Sequence, residues 1–120
     1  MFKIIGLLKR KPGMSVEDFR TYYETRHRVI GEKYLKGHAS RYMRRFLTPA
    51  SHPSAGQASD PPFDVILEIW YDNETIYEEA QQLLSTSEAR AEIEADEAQL
   101  FDRSNMHFFF VEEHESDLDS

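Results

Sequence analysis

The order of strand-like and helix-like segments constrains the fold of this chain more than any other feature of its sequence. Four segments are rich in apolar, β-branched or aromatic residues and are predicted to be β-strands: residues 2–9, 40–48, 63–71 and 106–112. Apolar residues at helical spacing predict a helix between the first two strands, from Ser15 to about Gly37. A second helical region precedes the last strand, and Ser85-Thr86-Ser87 is expected to divide it. Ser104-Asn105 predicts a turn at its end.

The resulting order, β-α-β-β-α-β, is typical of an α+β fold, the ferredoxin-like plait. This fold has a four-stranded antiparallel sheet with its helices on one face. The segment FDVILEIWY at residues 63–71 presents apolar groups on both sides of the sheet. The apolar groups on the face without helices must therefore be shielded from water by another surface. We therefore expect a homodimer that is built through the uncovered sheet face.

A chain of 120 residues fits a single domain, which we expect over residues 1–113. Residues 49–62 are rich in Pro, Ser, Ala and Gly and have no hydrophobic period. This composition predicts a mobile surface loop that could close over a site. Residues 114–120 are expected to form an acidic C-terminal tail.

The charge of the chain argues against several classes of partner. Its net charge is −8, which is unfavourable for nucleic-acid binding. Residues 1–50 hold twelve Lys and Arg and four Asp and Glu, for +8, and the remaining residues therefore carry −16. This asymmetry predicts attraction between the halves, within a subunit or across a dimer, or an anion-attracting pocket in the first half. No apolar run reaches the ~20 residues of a membrane helix, and we expect a soluble cytoplasmic protein that binds no membrane.

His27 is the residue that departs from the apolar pattern. It lies four positions after Tyr23 and three before Ile30, on the apolar stripe of the first helix. Such a histidine is either a structural residue, bonded to a carbonyl or a tyrosine hydroxyl, or a general acid/base. Tyr42, on the next strand, is either a core residue or a hydrogen-bond donor to a developing oxyanion.

Asp96 falls on the inward stripe of the late helix, and the adjacent Glu97 fits this stripe nearly as well. An inward carboxylate either pairs with an arginine of the basic half or holds a histidine, or it is only a structural ion pair or a partly exposed residue at the rim. We also expect aromatic residues to wall a substrate pocket, although packing alone would explain them: Tyr23, Phe46 and Trp70. The chain has no cysteine, and its five histidines lack the spacing of metal ligands, so no metal site is expected.

Several stretches of the chain resemble the EthD family. In the first half they are Lys11-Pro12-Gly13-Met14-Ser15, Glu17-Asp18-Phe19, Tyr22-Tyr23-Glu24 and His27. A looser match in the second half comprises Ile93, Asp96-Glu97 and Leu100-Phe101-Asp102. The family belongs to the dimeric α+β barrels, in which two ferredoxin-like subunits pack sheet to sheet, so the resemblance implies this assembly.

The resemblance also implies a class of activity. Relatives include a methylmuconolactone isomerase and fungal dehydratases or decarboxylases of aromatic polyketide pathways, which work without a metal or an organic cofactor. His27 and Tyr42 match the positions of the helix histidine and strand tyrosine that serve the chemistry in the muconolactone-type relative. This implies a cofactor-free isomerase, lyase or dehydratase that acts on a compact aromatic, polyketide-like or lactone substrate by histidine acid/base chemistry. The cysteine of that isomerase is absent here, so its own reaction is not implied.

Two other functions stay open at this point. One is a cofactor-independent quinol oxygenase, a chemistry known on related dimeric barrels, which would consume oxygen in the presence of a quinol. The other is a binding or accessory protein of a catabolic pathway, which would have no cavity at His27.

Overall fold

A computed structural model describes residues 1–51, 53, 54, 56 and 60–119 of the chain. Its elements are, in order, β1 (Phe2–Arg10), α1 (Val16–Tyr22), a π-helical turn (Tyr23–His27), α2 (Arg28–Leu35), β2 (Ala39–Phe46), β3 (Val65–Tyr71), α3 (Glu74–Leu84), α4 (Ser87–Leu100) and β4 (Phe101–Phe110). The predicted β-α-β-β-α-β order is confirmed, with the second helical region divided in two. The π-helical turn was not predicted.

The four strands form one antiparallel sheet in the order β2-β3-β1-β4. The central strand β1 pairs on one side with β3 and on the other with β4, so Leu8 lies between Val65 and Met106. This order and the helical connections confirm the predicted α+β, ferredoxin-like fold class.

Three of the helices begin at side chains that cap the first turn. The Ser15 hydroxyl accepts a hydrogen bond from the Asp18 backbone N–H at 3.0 Å, and Asn73 does the same for Ile76 at 2.9 Å. The Thr86 hydroxyl caps α4 in the same way. These caps satisfy amide groups that have no partner inside a helix, and they fix where each helix begins.

The two faces of the sheet differ in burial because side chains alternate along each strand. On β3, Val65, Leu67 and Tyr71 are buried against the helices. Ile66 and Trp70 point to the opposite face and are only partly buried. The sheet thus has one face in the core and one face that the single chain leaves partly open.

The turn predicted at Ser104-Asn105 is wrong. Strand β4 begins directly after α4, where Phe101 pairs with Arg10, and it continues through both residues to Phe110. The register shifts between Leu8 and Arg10, so the polar stretch forms an irregularity within the strand. The turn-forming sequence therefore marks a break in strand pairing and does not separate two elements.

Two further expectations are only partly covered by the described residues. Of the loop predicted to be mobile at 49–62, residues 52, 55 and 57–59 lie outside the described part of the chain. The end of this segment is held to the sheet, since Lys9 Nζ donates to the Pro61 carbonyl at 2.8 Å. None of the described helices is long and apolar enough to cross a membrane.

Candidate active site

The site is built around the π-helical turn, which carries both Tyr23 and His27. Its wider winding inserts an extra residue between α1 and α2 and changes which residues face the sheet and α4. The turn is tied to β2 by Arg44, whose guanidinium donates to both carboxylate oxygens of Glu24 at 2.9 and 3.1 Å. Two parallel hydrogen bonds of this kind fix orientation as well as distance.

His27 and Asp96 form a hydrogen-bonded pair between the π-helical turn and α4. The Nδ1 atom of His27 lies 2.7 Å from Oδ2 of Asp96, and the two side chains are only 12% and 11% exposed. The Tyr22 hydroxyl donates to the other oxygen, Oδ1, at 2.6 Å. An ionised Asp96 accepts both bonds, so the proton of a neutral His27 resides on Nδ1 and Nε2 is left as the basic nitrogen.

The imidazole of His27 is also held by aromatic rings. Tyr23 and Phe101 contact it edge to face, with centroids 5.1 and 5.3 Å away. Among the described residues, none forms a hydrogen bond with Nε2. Sequence reasoning proposed either a structural or an acid/base histidine, and this geometry gives a ring with one nitrogen bonded and one available.

His27 borders a cavity of about 160 Å³ between the helices and the sheet. Most of the lining is apolar, and it comes from all four strands and from helical residues that include Ile30, Leu84 and Ile93. The polar residues of the lining are His27, Glu97 and three tyrosines, Tyr23, Tyr34 and Tyr42. A small number of polar groups in an apolar cavity is typical of sites for small molecules.

Tyr42 reaches this cavity from β2. It pairs in register with Ile69, and the Arg44 guanidinium lies 4.8 Å from its ring centroid. Its hydroxyl comes so close to α2 that a Cβ atom on Gly31 would lie 2.5 Å from it. Burial raises the pKa of Tyr42 to about 12, so its hydroxyl keeps its proton at neutral pH and can donate a hydrogen bond.

Tyr23 is fully buried beneath the cavity, and its hydroxyl has no hydrogen-bond partner at good geometry among the described residues. Burial, followed by the nearby Tyr42 hydroxyl, raises the pKa of Tyr23 well above its usual range. A buried hydroxyl that lacks a hydrogen bond of good geometry is costly, and a polar atom of a ligand in the cavity would provide one.

Asp96 and Glu97 are adjacent on α4 but have different surroundings. The Asp96 carboxylate is bonded to His27 and Tyr22, whereas Glu97 lines the cavity and has no hydrogen bond or ion pair with any described residue. Burial raises the pKa of Glu97, and the proximity of His27 acts in the opposite direction. Sequence reasoning could not separate the two residues.

The structure brings together some of the residues predicted for the site. His27, Tyr42 and Tyr23 line the cavity, and Asp96 supports His27 from behind. Phe46 packs edge to face on Tyr23 and Phe19, one layer away from the cavity. Trp70 lies on the opposite face of the sheet, between Lys3 and Arg41, because it is displaced by one residue from the inward positions of β3.

Other parts of the site were missed by sequence reasoning. Tyr22 entered only as part of a motif, and it is the second partner of Asp96. Gly31 interrupts the helical pattern, and its missing side chain makes room for Tyr42. A glycine inside a helix, where alanine is more stable, was the available signal. In the described part of the chain, no group of three or more His, Asp or Glu residues is placed to hold a metal ion.

The comparisons with known proteins agree with this architecture. The EthD domain family model matches residues 11–104. An EthD family protein from Bacillus halodurans C-125 superposes with a TM-score of 0.62 at 18% identity, covering 95% of this chain and all of the other. An EthD-like protein from Ralstonia eutropha JMP134 gives a TM-score of 0.64 at 18% identity, covering 99% of this chain and 96% of the other.

A third solved structure, from Bacteroides fragilis NCTC 9343, is described as a dimeric protein of unknown function with a ferredoxin-like fold. Its TM-score is 0.56 at 14% identity, covering 92% of this chain and 94% of the other. At these identities the likeness concerns the fold alone. A search of curated proteins found no significant match.

Proposed function

The chain belongs to the EthD domain family, and we propose that it is a cofactor-free enzyme that moves a proton on a carbon next to a carbonyl group. His27 is the general base and Tyr42 donates a hydrogen bond to the carbonyl oxygen. The reaction is of the isomerase, lyase or dehydratase type, and the substrate is a compact aromatic, polyketide-like or lactone compound.

The pairing of His27 with Asp96 is the observation that carries this proposal. Because Nδ1 is held at 2.7 Å by a carboxylate, Nε2 is the ring nitrogen left to accept a proton from a ligand in the cavity. The carboxylate also stabilises the imidazolium that forms after proton transfer. This division of roles is the one that a carboxylate–histidine pair has in general-base catalysis.

Tyr42 supports the proposal because it lines the same cavity and stays protonated. Removing a proton next to a carbonyl leaves negative charge on the oxygen, and a fixed hydroxyl donor lowers the energy of this enolate. The guanidinium of Arg44 lies over the Tyr42 ring and is itself fixed by Glu24, so the ring that carries the donor is packed against a fixed group. Proton transfer between such groups requires no metal or organic cofactor.

The size and lining of the cavity support a compact substrate. A volume of about 160 Å³ is smaller than the roughly 300–1,000 Å³ of pockets that take drug-sized molecules. The lining is mostly apolar, so a bicyclic ketone or a small lactone suits it better than a charged metabolite. We also propose that the protein acts as a homodimer, for which the partly open sheet face and the dimeric B. fragilis neighbour provide support.

Two simple probe compounds, a ketone and a lactone, test the proposal without knowledge of the natural substrate. 1-Tetralone, a bicyclic aromatic ketone, is incubated with the protein in D2O, and loss of the C2 hydrogens is followed by proton NMR. Isomerisation of α-angelica lactone, an unsaturated five-membered lactone, is followed in parallel. We expect wild-type protein to accelerate at least one of the two reactions, and His27→Gln to lose this acceleration while it keeps the fold.

A matched pair of tyrosine variants separates catalysis from packing. Tyr42→Phe is expected to lower the rate by about 10²–10³-fold, the cost of removing one oxyanion donor. Tyr71→Phe removes another buried hydroxyl, which has no hydrogen-bond partner among the described residues and lies outside the cavity lining, and should leave the rate unchanged. Wild-type rates equal to the protein-free rates with both probes would refute the proposed function.

A further inference from the structure

Resting on the proposed function, we propose that Glu97 is a second catalytic residue, the proton donor to a departing hydroxyl group. His27 and Glu97 line one cavity from different elements, the π-helical turn and α4. A cavity with a base and an acid can do more than enolise a ketone, because it can eliminate a hydroxyl from the carbon next to the site of proton abstraction. The substrate class that follows is a compact β-hydroxy ketone.

Glu97 is not tied into the network of side-chain bonds that the described residues form. Its carboxylate has neither a hydrogen bond nor an ion pair with a described residue, although it is partly buried. Glu92 is paired with Lys33 and Tyr34, and Glu94 with Arg90. Glu88, near the start of α4, has no such partner among the described residues either, but it is exposed to solvent, whereas Glu97 is partly buried. A partly buried carboxylate without a partner lowers stability, and such positions are typical of functional sites.

The surroundings of Glu97 raise its pKa above the ordinary value. Burial beside the apolar lining raises its pKa, and the negative charge of Glu94 acts in the same direction. His27, Arg103 and Arg90 act in the opposite direction without cancelling the effect of burial. A carboxyl group with a raised pKa can hold a proton and deliver it to a leaving oxygen.

Asp96 supports the proposed base and does not act as the proposed acid. This residue bonds to His27 and Tyr22 with its two oxygens and so has no free oxygen for proton delivery into the cavity. The neighbouring residue, Glu97, belongs to the cavity lining instead. Two adjacent carboxyl groups on one helix thereby serve different roles, one behind the base and one as the acid.

The elimination is balanced in protons and electrons. His27 Nε2 takes a proton from the carbon next to the carbonyl, and the electron pair forms an enolate whose oxygen accepts a hydrogen bond from Tyr42. The enolate collapses to a carbon–carbon double bond as the bond to the β-oxygen breaks. Glu97 gives its proton to that oxygen, and water leaves. The proton on His27 then returns to the Glu97 carboxylate through solvent.

The test uses a pair of ketones that differ in one hydroxyl group. 1-Tetralone reports proton abstraction alone, through exchange of its C2 hydrogens in D2O. 3-Hydroxy-1-tetralone reports the full elimination, because loss of water gives a ketone that tautomerises to fluorescent 1-naphthol. We expect Glu97→Gln to lower the elimination rate by about 10²-fold or more, the range for general acids, while the exchange rate changes by less than about threefold.

Two controls separate the acid role from a structural one. Glu79→Gln makes the same change at an exposed position on α3 and should alter neither rate. 3-Chloro-1-tetralone loses chloride, which needs no proton, so Glu97→Gln should eliminate it at the wild-type rate. A wild-type elimination rate of Glu97→Gln with the chloride is expected only if the function that this variant lacks is proton donation.

The outcomes distinguish this inference from the proposed function. If wild-type protein exchanges 1-tetralone but does not dehydrate the hydroxy ketone, or if Glu97→Gln dehydrates it at the wild-type rate, the assignment of Glu97 is overturned and that of His27 stands. A Glu97→Gln variant that loses exchange and elimination equally also overturns it. If wild-type protein accelerates neither reaction, the assignment of Glu97 is overturned, and the proposed function fails as well if α-angelica lactone also stays at its protein-free rate.

Discussion

The Nδ1 atom of His27 and the Oδ2 atom of Asp96 lie 2.7 Å apart, although 69 positions separate the two residues in the chain. The π-helical turn explains part of how these two side chains come into contact. Residues five apart on an α-helix differ by about 140° in direction, which would keep Tyr22 and His27 from sharing a partner. The wider π-helical winding brings them closer to alignment, so both reach the Asp96 carboxylate.

Asp96→Asn is expected to lower the 1-tetralone exchange rate by about 10²–10⁴-fold, as does the same change behind other catalytic histidines. The amide no longer fixes the proton on Nδ1 and cannot stabilise the imidazolium. Exchange is measured by NMR, and folding by circular dichroism. Tyr22→Phe is the matched control: it removes the hydrogen bond to Oδ1, should cost about 1 kcal/mol of stability, and should keep most of the rate. Equal losses in both variants would contradict the assigned role.

Gly31→Ala is expected to lower both stability and rate, although alanine is the better helix former by about 1 kcal/mol. The new methyl group would lie 2.5 Å from the Tyr42 hydroxyl oxygen and 2.8 Å from the adjacent ring carbon. Relief requires the ring to move away from α2, which displaces the proposed oxyanion donor. Urea unfolding and the exchange assay measure the two effects. A variant more stable than wild type, at full rate, would show that Tyr42 does not need this space.

The fold was predictable because each segment carries its own local signal. The apolar run of β3, the caps at Ser15 and Asn73, and the break at Ser85-Thr86 are all encoded within a few residues. The start of β4 was not predictable in this way. Its register depends on pairing with Arg10, about ninety positions away in the chain, and this tertiary pairing overrides the turn preference of Ser104-Asn105.

The site was only partly predictable for a related reason. The positions of His27 and Asp96 on apolar helical stripes marked them as unusual, and the structure pairs the two side chains beside the cavity that His27 lines. Helical spacing could not distinguish Asp96 from Glu97, because a shift of one residue is within the uncertainty of an ideal helix. Trp70 shows the same limit for strands: a side chain displaced by one residue lies on the other face of the sheet.

Glu97→Gln is expected to stabilise the protein at pH 7. Folding raises the pKa of Glu97 above its ordinary value of 4.5, so the folded chain binds this proton more tightly than the unfolded chain. Wild-type stability therefore falls as pH rises from 4.5 through the folded pKa, and the loss persists above it. Glutamine removes this loss, so the advantage of the variant should disappear below pH 4.5. Urea unfolding at both pH values measures the difference in stability, and a variant less stable than wild type at pH 7 would contradict a raised pKa of Glu97.

Ile66→Glu is expected to convert a homodimer into a folded monomer. Ile66 lies on the partly open sheet face, between Leu7 on β1 and Arg45 on β2. In a dimer that packs sheet to sheet, the new carboxylate would be buried against its own copy, at a cost that the pairing cannot offset. In a monomer it meets water and Arg45, so the fold should persist. Light scattering should give twice the chain mass of 14.1 kDa for wild type and a single chain mass for the variant.

The control for this prediction places the same charge on the helical side of the molecule. Gln82→Glu lies at an exposed position of α3, and it should remain dimeric because the helices do not take part in the proposed contact. If both variants stay dimeric, the dimer interface lies elsewhere, and the second copy of the chain does not pack on the partly open sheet face. If wild-type protein is itself a monomer at micromolar concentration, the apolar side chains of this face, Ile66 and Leu7 among them, are stable in water without a second copy. The proposed homodimer would then be refuted, whereas the cavity at His27, which is lined by residues of a single chain, would keep its proposed role.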